Sequence, residues 1–298
     1  MEKEIRAFVP THICVTLQHG KEGEILLVTS SGIYLRIGEE IMLLCDGSWG
    51  ILPIGIGLEN FDVALSALQP RQGETVRVEE ERLEFIGGTI RLMLQPEPDK
   101  VPHQGAAQRS RILQAAKELA AMKKERGISM LVQPLILGQP LAENLKTNPY
   151  CMYAYPYFSK LVAAFDEKDD VEIGNCIKKL LGLGPGLTPS ADDVLLGMLY
   201  VFRMLPGKCP NAALAFQESI TRLCKQYTNQ ISGAYLKSII DGAPFERMES
   251  LYRGLCGEKS LDIQQLVQIG SSSGSEMLLG MLIALRICGY DLTREELK

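Results

Sequence analysis

Two adjacent carboxylates, Asp192 and Asp193, follow a turn that holds Gly182, Gly184 and Gly186. They lie within the stretch Leu181–Leu199, LGLGPGLTPSADDVLLGML, which runs on into a long apolar segment. A glycine-rich turn can point successive backbone N–H groups at one spot, and a helix that starts there adds free N–H groups and the positive end of its dipole. Such a place accepts an anion, a phosphate or a carboxylate. Gly184, Gly186, Leu187, Thr188 and Ser190 are therefore the candidate binding residues, with Thr188 and Ser190 as hydroxyl donors and Lys178 and Lys179 upstream as added charge. The stretch is not a Walker loop, which needs Lys-Ser or Lys-Thr after its last glycine where Leu187-Thr188 stands. It is not a dinucleotide fingerprint either, because position 187 is leucine and the preceding residues repeat Ile173, Ile177 and Leu180 at helical spacing.

Asp192 and Asp193 are the candidate catalytic residues. They could hold a divalent metal such as Mg²⁺ against a phosphate, or orient an amino group of a substrate. No cofactor is certain from the sequence. They could also serve structure alone, since carboxylates favour a helix N-terminus and Ser190-x-x-Asp193 has the spacing of a capping box. A second copy argues for more. Ser272-Ser-Gly-Ser-Glu-Met-Leu-Leu-Gly-Met-Leu282 matches Pro189–Leu199 position by position, with Ser273 on Ser190, Glu276 on Asp193 and Gly280 on Gly197. Two such helices are expected to pack through Gly197 and Gly280, with their N-termini converging. Ser272, Ser273, Gly274 and Glu276 join the candidate binding set on that ground. Thr228 and Ser232, four residues apart on one helix face, are a third polar set that could line the same cavity or serve only as the capped start of a helix.

The remaining composition sets limits. A chain of 298 residues can bury about three quarters of its unfolded surface and needs no staples. A net charge of −5 argues against a nucleic-acid protein, which needs a basic stripe, and the stretch Lys117–Arg126 reads as a solvated helix face. The eight cysteines are scattered without C-x-x-C spacing, which suits a reducing cytoplasm. His12, His19 and His103 stand apart, so no zinc cluster is legible. The start, MEKEIRAFVP, lacks the apolar core of a signal peptide, and the longest apolar runs are too short to span a bilayer. The expectation is a cytoplasmic protein with no membrane partner. The chain could form a homo-oligomer.

These residues are positioned by a chain in two parts. Residues 1–100 read as a β-rich domain: strands flank Ser30-Ser31-Gly32, Ile41–Cys45 is another, and Thr75–Glu79, Leu83–Ile86 and Thr89–Leu94 follow with Gly87-Gly88 as a turn. Ser48–Gly57, with the only tryptophan and three glycines, reads as a loop that packs on the second domain or contributes to a pocket at the junction. The proline-rich Gln95–Pro102 is the expected linker. Residues 101–298 read as mostly helical, with helices expected near 106–126, 160–169, 171–181, 189–205, 210–226, 229–240, 245–255, 260–269, 274–289 and 292–297. The aromatic cluster Tyr150–Phe158 is expected in the core. The fold class is α+β: a small antiparallel β sandwich or barrel-like unit, then a larger helical domain.

The first motif, G-x-G-x-G-L-T-P-S-x-D-D-x-L-x-G, and the second, G-x-S-S-G-x-[DE]-x-L-x-G, together resemble the AllH-type oxamate carbamoyltransferase subunit family, long described as a domain of unknown function. The resemblance extends over most of the chain, including the Trp-Gly-Ile-Leu-Pro segment. The second motif departs from it at Ser275-Glu276, where a bulkier residue and Asp are expected. It implies one subunit of a complex that transfers a carbamoyl group between carbamoyl phosphate and oxamate in allantoin-type purine breakdown. Its expected partners are a small anionic substrate and the other subunits. The Ser-x-Arg-Thr phosphate motif of ordinary transcarbamylases is absent, so the glycine turn is the natural place for carbamoyl phosphate. Two other readings stay open: a non-catalytic anion-binding or scaffolding subunit, and a Mg²⁺-dependent phosphotransferase.

Overall fold

A computed structural model describes residues 5–95, 106–122 and 127–290. They divide into two compact units. The first comprises the described residues within Met1–Val101 together with Ala243–Arg247, and the second those within Pro102–Gly242 and Met248–Lys298. The fold is α+β, a β barrel followed by a mostly helical region. The expected linker past Gln95, the helix over 292–297, the last turn of the 106–126 helix and His103 lie outside the described residues.

The first unit is a closed barrel of eight strands, β1 (Ile5–Pro10), β2 (Glu22–Val28), β3 (Gly32–Ile37), β4 (Glu40–Asp46), β5 (Gly55–Leu58), β6 (Thr75–Glu79), β7 (Arg82–Phe85) and β8 (Gly88–Gln95). Their order around the barrel is β1-β5-β4-β3-β2-β6-β7-β8. Ile33, Leu35 and Ile37 on β3 and Val76 and Val78 on β6 alternate inward, as period-two strands must when one face is buried. The hairpin at Ser30-Ser31-Gly32 and the turn at Gly87-Gly88 fall where turn residues put them. Six of the pairings are antiparallel, but β1–β8 and β4–β5 are parallel. Closure creates the first parallel pair by bringing the first strand beside the last. Two short helices belong to this unit, α1 (Thr11–Cys14) and α2 (Phe61–Leu68), and Phe61, Ala64 and Leu68 of α2 join the barrel core.

The Ser48–Gly57 segment is a 3-10 turn, Gly47–Trp49, leading to β5. Gly50 takes φ +75° and the next N–H, of Ile51, donates to Glu246 Oε2 at 2.9 Å. Arg247 Nε donates to the Trp49 carbonyl at 3.0 Å. Both partners belong to the same unit as the barrel.

The second unit contains α3 (Arg109–Ala121), α4 (Val132–Leu135), α5 (Glu143–Lys146), α6 (Pro149–Glu167), α7 (Asp170–Leu180), α8 (Ser190–Met204), α9 (Pro210–Tyr227), α10 (Gln230–Ile240), α11 (Glu246–Cys256, whose first residues pack with the barrel unit), α12 (Gln264–Val267) and α13 (Ser273–Ile287). α8 and α13 are buried on all sides over most of their length, as the central helices of a large core must be. The aromatic stretch Tyr150–Phe158 is part of α6. Asn148 caps it, accepting from the N–H groups of Tyr150 and Cys151, and Pro149 sits in the first turn where its missing N–H costs nothing. Phe158 is buried, but Tyr153 is exposed, so the cluster only partly serves the core. The expected helix at 260–269 shrinks to α12.

Gly233 in α10 has nothing near the place of a Cβ and lies in an ordinary helical conformation. Gly233→Ala should therefore raise stability by about 0.5–1 kcal/mol, the helix preference of alanine over glycine. Urea denaturation would show it as a higher midpoint with an unchanged slope.

Candidate functional site

α7 ends at Leu180, and the turn to α8 is built on three left-handed glycines: Gly182 (φ +78°), Gly184 (φ +121°) and Gly186 (φ +101°). Glycine is required at Gly184 on a second count, since a Cβ there would stand 2.5 Å from the Ser190 backbone nitrogen and 2.8 Å from its hydroxyl. The turn thus folds back on the first residue of α8. The Ala191 N–H closes it on the Leu183 carbonyl at 2.9 Å. The N–H groups of Gly184, Gly186, Leu187, Thr188 and Ser190 donate to no other described residue. The Ser190 hydroxyl is fully buried and has no partner among the described residues. Gly186 and Leu187 are exposed at the tip.

Asp192 holds this turn in place. Its Oδ1 accepts from the Gly182 N–H at 2.8 Å, and its Oδ2 accepts from the hydroxyls of Ser232, at 2.7 Å, and Thr228. Thr228 ends α9 and Ser232 lies in the first turn of α10, so one carboxylate joins three segments. The hydroxyls expected to line a cavity are both spent on Asp192. Burial raises the Asp192 pKa, and the bonds from Thr228, Gly182 and Ser232 oppose the rise. Asn229, not expected as a site residue, caps α10 through its Oδ1 and donates Nδ2 to the Leu187 carbonyl at 2.8 Å. Its signal in the sequence was only that of an N-cap asparagine.

Asp193 points between α8 and α13. Its Oδ2 accepts from the Thr188 hydroxyl at 3.0 Å, and it also bonds the Ser273 hydroxyl, which lies 3.1 Å from that of Thr188. The N-termini of the two matching helices therefore meet, and they cross through Gly197 and Gly280. A Cβ on Gly197 would overlap the Met277 carbonyl and one on Gly280 the Val194 carbonyl. The Glu276 carboxylate, fully buried, accepts from the Ile128 N–H at 3.0 Å and the Ser272 hydroxyl at 3.2 Å. Gly127 leaves it room, because a Cβ there would collide with Glu276 Oε1. Burial, and then the Glu276 charge, push the Asp193 pKa well above the usual carboxylate range, against the bonds from Ser273 and Thr188. The positive ends of two helices thus face the protein's own carboxylates.

The capping boxes do not form. Pro189 and Ser272 occupy the N-cap positions, neither makes a side-chain cap, and Ser190 falls inside α8. Asp193 and Glu276 each take one hydroxyl from just ahead of their own helix, Thr188 and Ser272, and also reach other segments at Ser273 and Ile128. Gly274 packs where a Cβ would overlap the Leu266 carbonyl. Lys178 lies over the Tyr227 ring, 5.5 Å from its centre. The structure brings Gly184, Gly186, Leu187, Thr188, Ser190, Thr228, Ser232, Ser272, Ser273, Asp192, Asp193 and Glu276 into one hydrogen-bonded and packed neighbourhood. Among the described residues, no group of three or more His, Cys, Asp or Glu side chains is arranged to hold a metal ion. No helix of the described residues is long and apolar enough to cross a membrane.

No solved structure matches the chain. The barrel lies outside the segment that a protein-family comparison recognises, whereas the glycine turn, the Thr228–Ser232 segment and the second motif all lie inside it. Residues 180–285 match the model of the family described as oxamate carbamoyltransferase subunit AllH, the family that the two motifs resemble.

Proposed function

We propose that the chain is a subunit of an oxamate carbamoyltransferase-like enzyme working in the cytoplasm with other subunits, and that the Gly184–Ser190 turn receives the phosphate or carboxylate of its small anionic substrate. The observation that carries this reading is the set of unused N–H groups beside the buried, unpartnered Ser190 hydroxyl, at the start of a fifteen-residue helix. The family match over the same residues supplies the reaction class. In carbamoyl transfer the phosphate departs with the bonding electron pair, and fixed donors at its oxygens lower the barrier without reorganising. Asp192 and Asp193 are positioning residues in this reading. They hold the turn from behind through Gly182 and Thr188, while the N–H groups face the ligand. Ser273 supports Asp193 from the second helix, and Ser272 holds the neighbouring Glu276.

The test is the melting temperature of the purified chain with carbamoyl phosphate, oxamate or inorganic phosphate at millimolar concentration. A ligand at 100 times its Kd stabilises by about 2.7 kcal/mol, a rise of several degrees. Ser190→Ala should weaken that rise and leave the unliganded protein about as stable, since it removes a hydroxyl that bonds nothing. A chain indifferent to all three anions would favour the scaffolding subunit. A response only to ATP with Mg²⁺ would favour the phosphotransferase.

A further inference from the structure

We propose that Cys209 and Cys288 form a reversible dithiol–disulfide site, in which Cys209 meets the oxidant and Cys288 resolves it. The two sulfurs lie 4.0 Å apart although 79 residues separate them in sequence. Cys209 is partly exposed and Cys288 is buried. Among the described residues no other two sulfurs are in such contact. Cys209 occupies the N-cap position of the eighteen-residue α9, where its side chain caps nothing and Pro210 follows. The helix dipole favours a thiolate there. The hydrogen bond from Cys288 lowers the Cys209 pKa against the effect of burial, while the same bond and burial raise that of Cys288. By contrast, burial drives Cys45, Cys151 and Cys176 up to about 12. One acidic, accessible thiol beside a buried second one is the arrangement of a redox-sensing pair.

The chemistry needs a hydroperoxide. The Cys209 thiolate attacks one peroxide oxygen, the O–O bond breaks, and the departing oxygen takes a proton, leaving a sulfenic acid and water. The Cys288 sulfur then attacks the Cys209 sulfur. The S–O bond breaks, and the hydroxide leaves as water with the Cys288 proton. Two thiols lose two electrons in total, and hydrogen peroxide becomes two waters. A small thiol reverses the bond by exchange. The disulfide would tie the start of α9, whose far end carries Thr228, to the end of α13, whose first turn carries Glu276. This inference is independent of the proposed anion site.

The full chain would be treated with one equivalent of hydrogen peroxide, alkylated, digested without reduction and read by mass spectrometry. The expected result is a linked Cys209–Cys288 peptide that dithiothreitol releases, with a melting temperature raised by several degrees in the oxidised protein. In Cys288→Ser, dimedone should capture Cys209 faster than the exposed Cys14, which serves as the internal reference. Oxidation of Cys14 without the linked peptide in the wild-type protein would overturn the proposal, and so would Cys209 reacting no faster than Cys14. The wild-type peptide map decides the matter even if the variant fails to fold.

Discussion

Gly280→Ala is expected to cost about 3 kcal/mol or more, although alanine is the better helix former. In an exposed helix the same change gains about 1 kcal/mol, as anticipated for Gly233. At Gly280 the new Cβ would overlap the carbonyl oxygen and carbon of Val194, and its next neighbour is the Gly197 Cα. All three are backbone atoms of a buried helix, so no side chain can swing away. α8 and α13 must separate, and the loss falls at the upper end of what overpacking costs. Gly197→Ala should act alike through the Met277 carbonyl. Because either substitution already parts the helices, the double variant should lose clearly less than the two losses added. Urea denaturation of the four proteins would measure the cycle. A gain in stability from Gly280→Ala would refute the close crossing.

That crossing shows which parts of the structure were legible in the sequence. The match between Pro189–Leu199 and Ser272–Leu282 puts a glycine at the same place in two apolar segments, and a glycine inside an apolar helix has few uses other than close approach. Helix packing through Gly197 and Gly280 could therefore be read beforehand. The α+β division was also legible, because the hydrophobic period changes from two to 3.6 between the halves. Closure of the barrel was not. β1 pairs with β8 across the length of the unit, and β5 is only four residues long, so neither advertises its partner. The full extent of α6 was hidden by Pro156, which a helix interior normally excludes.

Spacing foretold which of the candidate site residues lie together and misread how they bond. Spacing could bring Asp193, Glu276, Ser273 and Thr188 to two helix starts, but it also suggested local capping boxes. The capping boxes gave way because the two N-termini face each other, although Thr188 and Ser272 still bond the carboxylates of their own helices. A carboxylate there can satisfy donors from another segment, as Glu276 does for Ile128 and Asp192 for Gly182. Asn229 escaped notice for a related reason. Its cap is local, but its contact with Leu187 is made by the fold.

Asp193→Asn is expected to remove a pH dependence from the stability of the protein. The native state raises the Asp193 pKa well above its unfolded value, chiefly by burial and then by the Glu276 charge, with Asp192 adding a smaller part. Between the two values the native state holds the proton that the unfolded chain has released. Stability contributed by this group is therefore full below the unfolded pKa and falls as pH rises through the native one, at up to about 1.4 kcal/mol per pH unit. Asparagine cannot ionise, and the hydroxyls of Thr188 and Ser273 can rotate to accept from its amide, so the buried position stays satisfied. Denaturation midpoints from pH 4 upward should decline less steeply in Asp193→Asn than in the wild type, with the variant the more stable at the alkaline end. Parallel curves would mean that Asp193 keeps its ordinary carboxylate pKa despite its burial. If the variant also loses the response to carbamoyl phosphate or oxamate while gaining stability, the carboxylate holds the anion-binding turn at an energetic cost to the fold. That outcome would separate a positioning role from a purely structural one, which predicts that stability and ligand response fall together.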